Sequence, residues 1–358
     1  MKVAISNTIF FTQRFGGISR YFINLSNEFD KRKLEYKIIA PISKNILLKK
    51  KINNKFSLHF SRFPNTSILV NLNNFLFNRY IKMFDPNILH ETYYSNNIKN
   101  FKKIKVLTIY DVIHEKYYNS YLKEQIDQKK KILNYIDHFI CISKHTQECF
   151  IQLYNIPLNK TSVVYLSGNH IKKKISYNHL LFEKYNLKKN NFFLFVGSRE
   201  GYKNFKLLKN SLNLSNEFSD FKIVCFGGGK FTNSELNNLK SNFINIQGED
   251  RELKYLYENA FALIAPSKEE GFGITILEAM ELGCPVLCSD IKVFREVAGL
   301  VPMYFSPSSE EELIDTMKRL ISDTNKRILM TKEGINQCKF YSWNTCANKT
   351  EKIYKFLL

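Results

Sequence analysis

The 358-residue sequence lacks the usual marks of an anchored or cross-linked protein. No uninterrupted apolar run approaches the roughly 20 residues that span a bilayer. The start, Met1-Lys2-Val3-Ala4-Ile5-Ser6, reads as a strand and not as a signal peptide. Seven cysteines are scattered, with no Cys-x-x-Cys pair, which argues against a disulfide framework or a zinc site. Cys284 and Cys288 flank Pro285 and read as core thiols in a buried strand. These absences together predict a reduced, cytoplasmic protein. The dinucleotide fingerprint G-x-G-x-x-G is absent, as is any Asp-x-Asp triplet. Acids are scarce: 33 Asp+Glu stand against 53 Lys+Arg, for a net charge of +20. Nucleic acid and an anionic membrane surface both suit such a charge. The cations are scattered and carry no recognition motif, which favours the membrane over nucleic acid. Richness in Lys, Asn, Ile and Phe runs through the whole chain, so compositional drift also accounts for the excess.

What is present is organised around Glu270-Gly271-Phe272-Gly273-Ile274-Thr275-Ile276-Leu277-Glu278. Before it, Phe261 to Ser267 reads as a buried strand running into a turn. After it, Ala279 to Leu282 completes a short helix, stopped by Gly283 and Pro285. Glu270 therefore falls in the strand-to-helix loop and Glu278 inside the helix. Gly271 and Gly273 leave amides bare at the helix start, where an anion is favoured. Open α/β sheets hold ligands at such strand ends. Two carboxylates flanking an amide nest suit a ligand that is both phosphate and polyol.

Other stretches repeat the strand–loop–helix layout. Val3 to Ser6 is a strand, Gly16-Gly17 closes its loop, and Ile18, Phe22, Leu25 and Phe29 mark a helix. Lys44, Lys49 to Lys51 and Lys55, interleaved with apolar residues, can lie on an anionic bilayer or form a solvated loop. A strand ending at Tyr110-Asp111 continues into Val112-Ile113-His114-Glu115. Phe192 to Gly197 opens a second α/β series and feeds Ser198-Arg199-Glu200-Gly201-Tyr202-Lys203-Asn204. Two cations four residues apart in a loop after a strand can grip a diphosphate from two sides.

The run from Ala265 to Pro285, with Glu-x7-Glu around Gly-Phe-Gly, resembles the donor-site signature of the retaining GT-B glycosyltransferases of family 4. The Arg199 and Lys203 loop resembles that family's donor-phosphate pair, and Gln13 to Tyr21 its first Gly-containing loop. The resemblance covers nearly the whole chain. It implies an α/β protein of two doubly wound Rossmann-like domains facing a cleft. Residues 1–168 form an acceptor-side domain, 169–190 a linker and 191–340 a nucleotide-sugar domain; 341–358 form a helix crossing back to the first domain.

The resemblance also implies roles. Glu270, Arg199 and Lys203 act on the reacting sugar and its diphosphate. Gly16, Gly17, Asp111, His114, Gly271, Phe272, Gly273 and Glu278 bind substrate, with Glu278 on the ribose. Tyr110 stands where the family commonly has His, Asp111 matches, and His114 lies three residues beyond Asp111. The implied donor is a nucleotide-diphosphate sugar, with GDP-mannose favoured, and no cofactor or metal is expected. The acceptor is a glycan or lipid-linked chain, as in surface-polysaccharide synthesis, and the protein is expected in the cytoplasm, peripheral to the inner membrane face. An epimerase or phosphorylase on the same fold is the alternative, with a basic nucleic-acid binder behind it.

Overall fold

The computed structural model describes the chain except for residues 64–65, 118–122, 173–179, 200 and 238. Its contacts divide into two units, Met1–Leu166 with Trp343–Leu358, and Ser167–Ser342. Part of the expected linker, 173–179, lies outside the described residues. The described remainder belongs to the second unit: Asn169–Lys172 forms a 3-10 turn and Leu180–Tyr185 a short helix.

Among the described residues, the first unit holds seven parallel strands: β1 (Lys2–Ile5), β2 (Glu35–Ser43), β3 (Lys55–His59), β4 (Ile88–Glu91), β5 (Ile104–Ile109), β6 (His138–Cys141) and β7 (Thr161–Val163), in the order β3-β2-β1-β4-β5-β6-β7. Apolar side chains from both faces are buried, such as Val3, Ala4 and Ile5 on β1, because helices cover a parallel sheet on both sides. Chain order reverses between β1 and β4, the point where such sheets open a crevice.

Helix Gly17–Lys31 packs beside the C-terminal helix Trp343–Leu357. That last helix buries Trp343, Cys346, Ala347, Thr350 and Tyr354. The Tyr354 hydroxyl meets His90 Nδ1 at 2.5 Å, and Arg32 reaches Glu351 at 3.4 Å. The expected return of the terminal helix to the first domain is present, held by an apolar stripe and a polar anchor inside it.

Strand β5 ends at Ile109, and Ile113–Tyr117 is a short helix. The strand thus stops just short of its expected end at Tyr110-Asp111, and the segment that follows turns into this helix. Val112-Ile113-His114-Glu115, two apolar residues then two polar ones, is too short to carry a period that would announce one helical turn. The Asp111 carboxylate accepts the Ile113 amide at 3.1 Å and starts that turn.

The second unit's strands are β8 (Phe192–Val196), β9 (Lys222–Phe226), β10 (Phe243–Ile246), β11 (Ala262–Ala265), β12 (Val286–Ser289) and β13 (Met303–Phe305). They run parallel in the order β10-β9-β8-β11-β12-β13, so chain order reverses between β8 and β11. One core joins Phe193, Phe195, Phe205, Ile223, Phe261, Ile264 and Leu287 to Leu313, Met317 and Leu320 from helix Glu310–Ser322. No helix among the described residues is long and apolar enough to cross a membrane.

Candidate functional site

The switch point between β8 and β11 brings together the two loops that the sequence singles out. The loop after β8 is stapled to the loop after β11 by backbone and side chain alike. Lys268 N donates to Tyr202 O at 2.8 Å, and Asn204 Nδ2 donates to Pro266 O at 3.0 Å and Pro307 O at 2.8 Å. Asn204 adopts a left-handed conformation at the start of helix Phe205–Leu214, which Asn tolerates better than most residues.

On this frame Lys203 Nζ donates to Glu270 Oε1 at 2.7 Å, and the Ser267 hydroxyl donates to the same oxygen at 2.8 Å. Both partners are largely buried, with side-chain exposures of 16% and 10%. Burial works against the ammonium, yet Glu270 beside it, then Tyr202 and Glu278, hold the Lys203 pKa above its ordinary value. Lys203 thus keeps its charge in a site where water screens little.

Beside the pair, Gly273 caps helix Ile274–Glu281 at φ 85°, and a Cβ there would meet the Phe294 ring at 2.6 Å. Glycine is required for both reasons. Phe272 is buried, with its ring against Tyr341 at 6.0 Å. Glu278 is the fifth residue of the helix, about one turn in, and is buried. The Tyr257 hydroxyl donates to Glu278 Oε2 at 3.2 Å, and His170 Nε2 stands 3.0 Å from Glu278 Oε1. His170 is a site residue that sequence reasoning missed. It sits in a polar stretch with no periodic signal, 108 positions from its partner.

Arg199 does not join this group, and the expected two-cation grip is corrected here. Its guanidinium donates to Glu235 Oε1 at 2.7 Å and Oε2 at 3.3 Å. It also donates to the carbonyls of Gly227, Gly228, Gly229 and Lys230 at 2.8 to 3.2 Å. The side chain is 2% exposed. Freeing it for a phosphate would break the ion pair with Glu235 and its hydrogen bonds to four carbonyls together, although Thr232 and Gln247 still donate to some of these acceptors. Burial opposes the charge on Glu235, but Arg199 and the Thr232 amide hold its carboxyl below the usual range. What Arg199 secures is a loop whose glycines all have positive φ, at 86°, 68° and 75°. A Cβ on Gly228 would lie 2.8 Å from Gly197 O, so the loop crosses that backbone at glycine-only distance.

The remaining expected residues belong to the first unit. Gly16 caps helix Gly17–Lys31, where a Cβ would strike the Gln13 side chain, while Gly17 has open space beside it. Asp111 follows β5, where burial pushes its carboxyl pKa up against the Ile113 amide. His114 is exposed, on the short helix and not at a strand end.

Known proteins bear on this arrangement. Residues 179–337 match the family described as Glycosyl transferases group 1, and residues 15–166 match that described as Glycosyltransferase Family 4. The chain belongs to this family of glycosyltransferases, with the GT-B fold. It is 27% identical to O-antigen chain mannosyltransferase B of Escherichia coli over 253 residues, covering 68% of this chain and 65% of that one. It is 29% identical to O-antigen chain mannosyltransferase RfbU of Salmonella typhimurium over 239 residues, covering 60% of each. The chain thus spans just under two thirds of these relatives' length. Sucrose-phosphate synthase of Thermosynechococcus elongatus shares the fold with a TM-score of 0.80 at 15% identity, over 99% of this chain and 98% of that one.

Proposed function

We propose that this protein moves a hexose, mannose favoured, from a nucleotide-diphosphate sugar to a lipid-linked or surface-polysaccharide acceptor in the cytoplasm. The observation that carries the reading is the meeting of Lys203, Glu270 and Glu278 at the β8/β11 switch point, next to the amides that open helix Ile274–Glu281. The two O-antigen mannosyltransferases among its relatives support mannose as the sugar.

Expelling a nucleoside diphosphate builds negative charge on the leaving oxygen. Lys203 and the amides at Gly271 to Ile274 are the groups to meet it. Preorganised donors of this type contribute roughly 3 kcal/mol each. Lys203 enters the reaction already charged, since Glu270 sustains its proton. In this reading Glu270 also takes the sugar hydroxyls and Glu278 the ribose hydroxyls, held in place by Tyr257 and His170. Transfer retains anomeric configuration: the acceptor oxygen attacks from the departing side, and the leaving phosphate takes its proton. The reaction is metal-independent in this scheme, with Lys203 and the helix start in the role that Asp-x-Asp enzymes give to a cation. Activity lost to a chelator and restored by manganese would refute that part.

A thermal-shift screen of nucleotide sugars tests the whole reading, since a ligand that binds the folded state raises the melting temperature. GDP-mannose is expected to give the largest shift, followed by turnover of labelled donor onto an acceptor. No shift with any nucleotide sugar would overturn the reading.

A further inference from the structure

Forty-nine consecutive residues, 36 to 84, contain no Asp or Glu at all, against nine Lys and Arg: Lys37, Lys44, Lys49, Lys50, Lys51, Lys55, Arg62, Arg79 and Lys82. The acids at either border are paired with lysines outside the block, Glu35 with Lys2 at 3.5 Å and Asp85 with Lys103 at 2.6 Å. Within it, Lys51 pairs with Asp30 at 2.6 Å. Burial and the neighbouring cations Lys49, Lys55 and Arg14 push the His59 imidazole below its usual pKa, as a positive local field does.

The block also exposes apolar side chains in a defined arrangement. Helix Ser67–Phe84 buries Asn73, Phe77 and Ile81 against the sheet. On the opposite side, Ile68, Leu72, Phe75, Arg79, Lys82 and Met83 share an arc of about 100° at helical spacing. All six are exposed; Ile68 is 78% exposed and Phe75 58%. An ordinary surface helix puts polar residues there. The Arg79 guanidinium lies 6.0 Å from the Phe75 ring, a mixed apolar and cationic surface at the level of single side chains. The Phe56 ring of edge strand β3 packs on Tyr80 of the helix, and β3 exposes Leu58 at 61%.

We infer that the outward face of helix Ser67–Phe84, with edge strand β3 beside it, docks on an anionic lipid bilayer. An apolar stripe flanked by cations and free of acids matches both layers of that surface, the acyl boundary and the negative headgroups. Nucleic acid would use the cations but not the apolar side chains, and a second copy of this face would repel its own charge. The inference adds a membrane contact to the lipid-linked acceptor proposed above. It is read without donor or acceptor, so it stands or falls apart from sugar transfer.

The test is co-sedimentation of the full chain with vesicles of phosphatidylcholine alone or mixed with phosphatidylglycerol, at low and at moderate salt. Binding is expected to the mixed vesicles only, weakened by salt. The triple variant Ile68→Ser, Leu72→Ser, Phe75→Ser is expected to lose binding with its melting temperature unchanged, because all three side chains point outward. The pair Arg79→Gln, Lys82→Gln is expected to weaken binding about fivefold per cation. Equal binding of the triple variant, or no binding to mixed vesicles, would overturn the inference. So would a concentration-dependent dimer abolished by the triple variant, or tight binding of single-stranded DNA with vesicles ignored.

Discussion

Glu91 lies at the C-terminal end of β4, beside the chain-order reversal of the first sheet, and is 1% exposed. Neither carboxyl oxygen has a hydrogen-bond partner among the described residues. Burial pushes its pKa from 4.5 up to about 8, eased slightly by the Ser6 hydroxyl. The folded state therefore holds a proton that the unfolded chain has already released. The stability this proton carries is complete below about pH 4.5 and is lost as pH rises toward 8. At about 1.4 kcal/mol per pH unit, the full loss has a ceiling near 5 kcal/mol, with roughly 3 kcal/mol gone at neutral pH. Glu91→Gln keeps the shape of the protonated acid and removes the titration. Urea unfolding of both proteins at about pH 5, 7 and 9 should show a variant that gains over the parent as pH rises and levels off above 8. Other buried groups, such as His90, are common to both proteins and cancel in the difference. A stability difference that stays flat from acid to alkali would refute the buried, partnerless carboxyl.

Three further outcomes follow from the second unit. Lys203→Ala should lower donor turnover by about a hundredfold or more, measured by initial rates well below the melting temperature of the variant, which itself falls because Glu270 loses its buried ion-pair partner. Arg199→Met should destabilise by about 3 kcal/mol in chemical denaturation, because Glu235 and the glycine-loop carbonyls lose their buried partner. A variant that melts like the parent while losing activity would instead make Arg199 a substrate contact. His170→Ala should raise KM for the donor by about tenfold, because the imidazole that packs 3.0 Å from Glu278 Oε1 is lost, with kcat less affected. If kcat falls and KM holds, His170 acts on the reaction and not through Glu278.

Much of this molecule is written locally. Helices Lys144–Tyr154 and Glu310–Ser322 announce themselves through periodic apolar residues and caps, Ser143 and Ser309 accepting the third helical amide. The run from Ala262 to Glu281 is equally legible, because a buried strand, a glycine turn and a short helix each leave a mark within a few residues. Strands β3 and β10 leave weaker marks: both are short sheet edges, β3 mostly polar and β10 interrupted by Asn245, so no continuous apolar run signals them.

Sequence by itself determined the two α/β series, the loops that carry Lys203 and Glu270, the helix that carries Glu278, and the excess of positive charge. Only the tertiary structure decided which way each loop side chain turns. Arg199 and Lys203 stand four residues apart, yet one closes on Glu235 and the glycine loop while the other meets Glu270. His170 reaches Glu278 from another stretch altogether. Periodicity encodes which face of an element is buried, because that depends on near neighbours in the chain. The partner of a buried charge depends on which strands the sheet places side by side, and that order is a property of the whole fold.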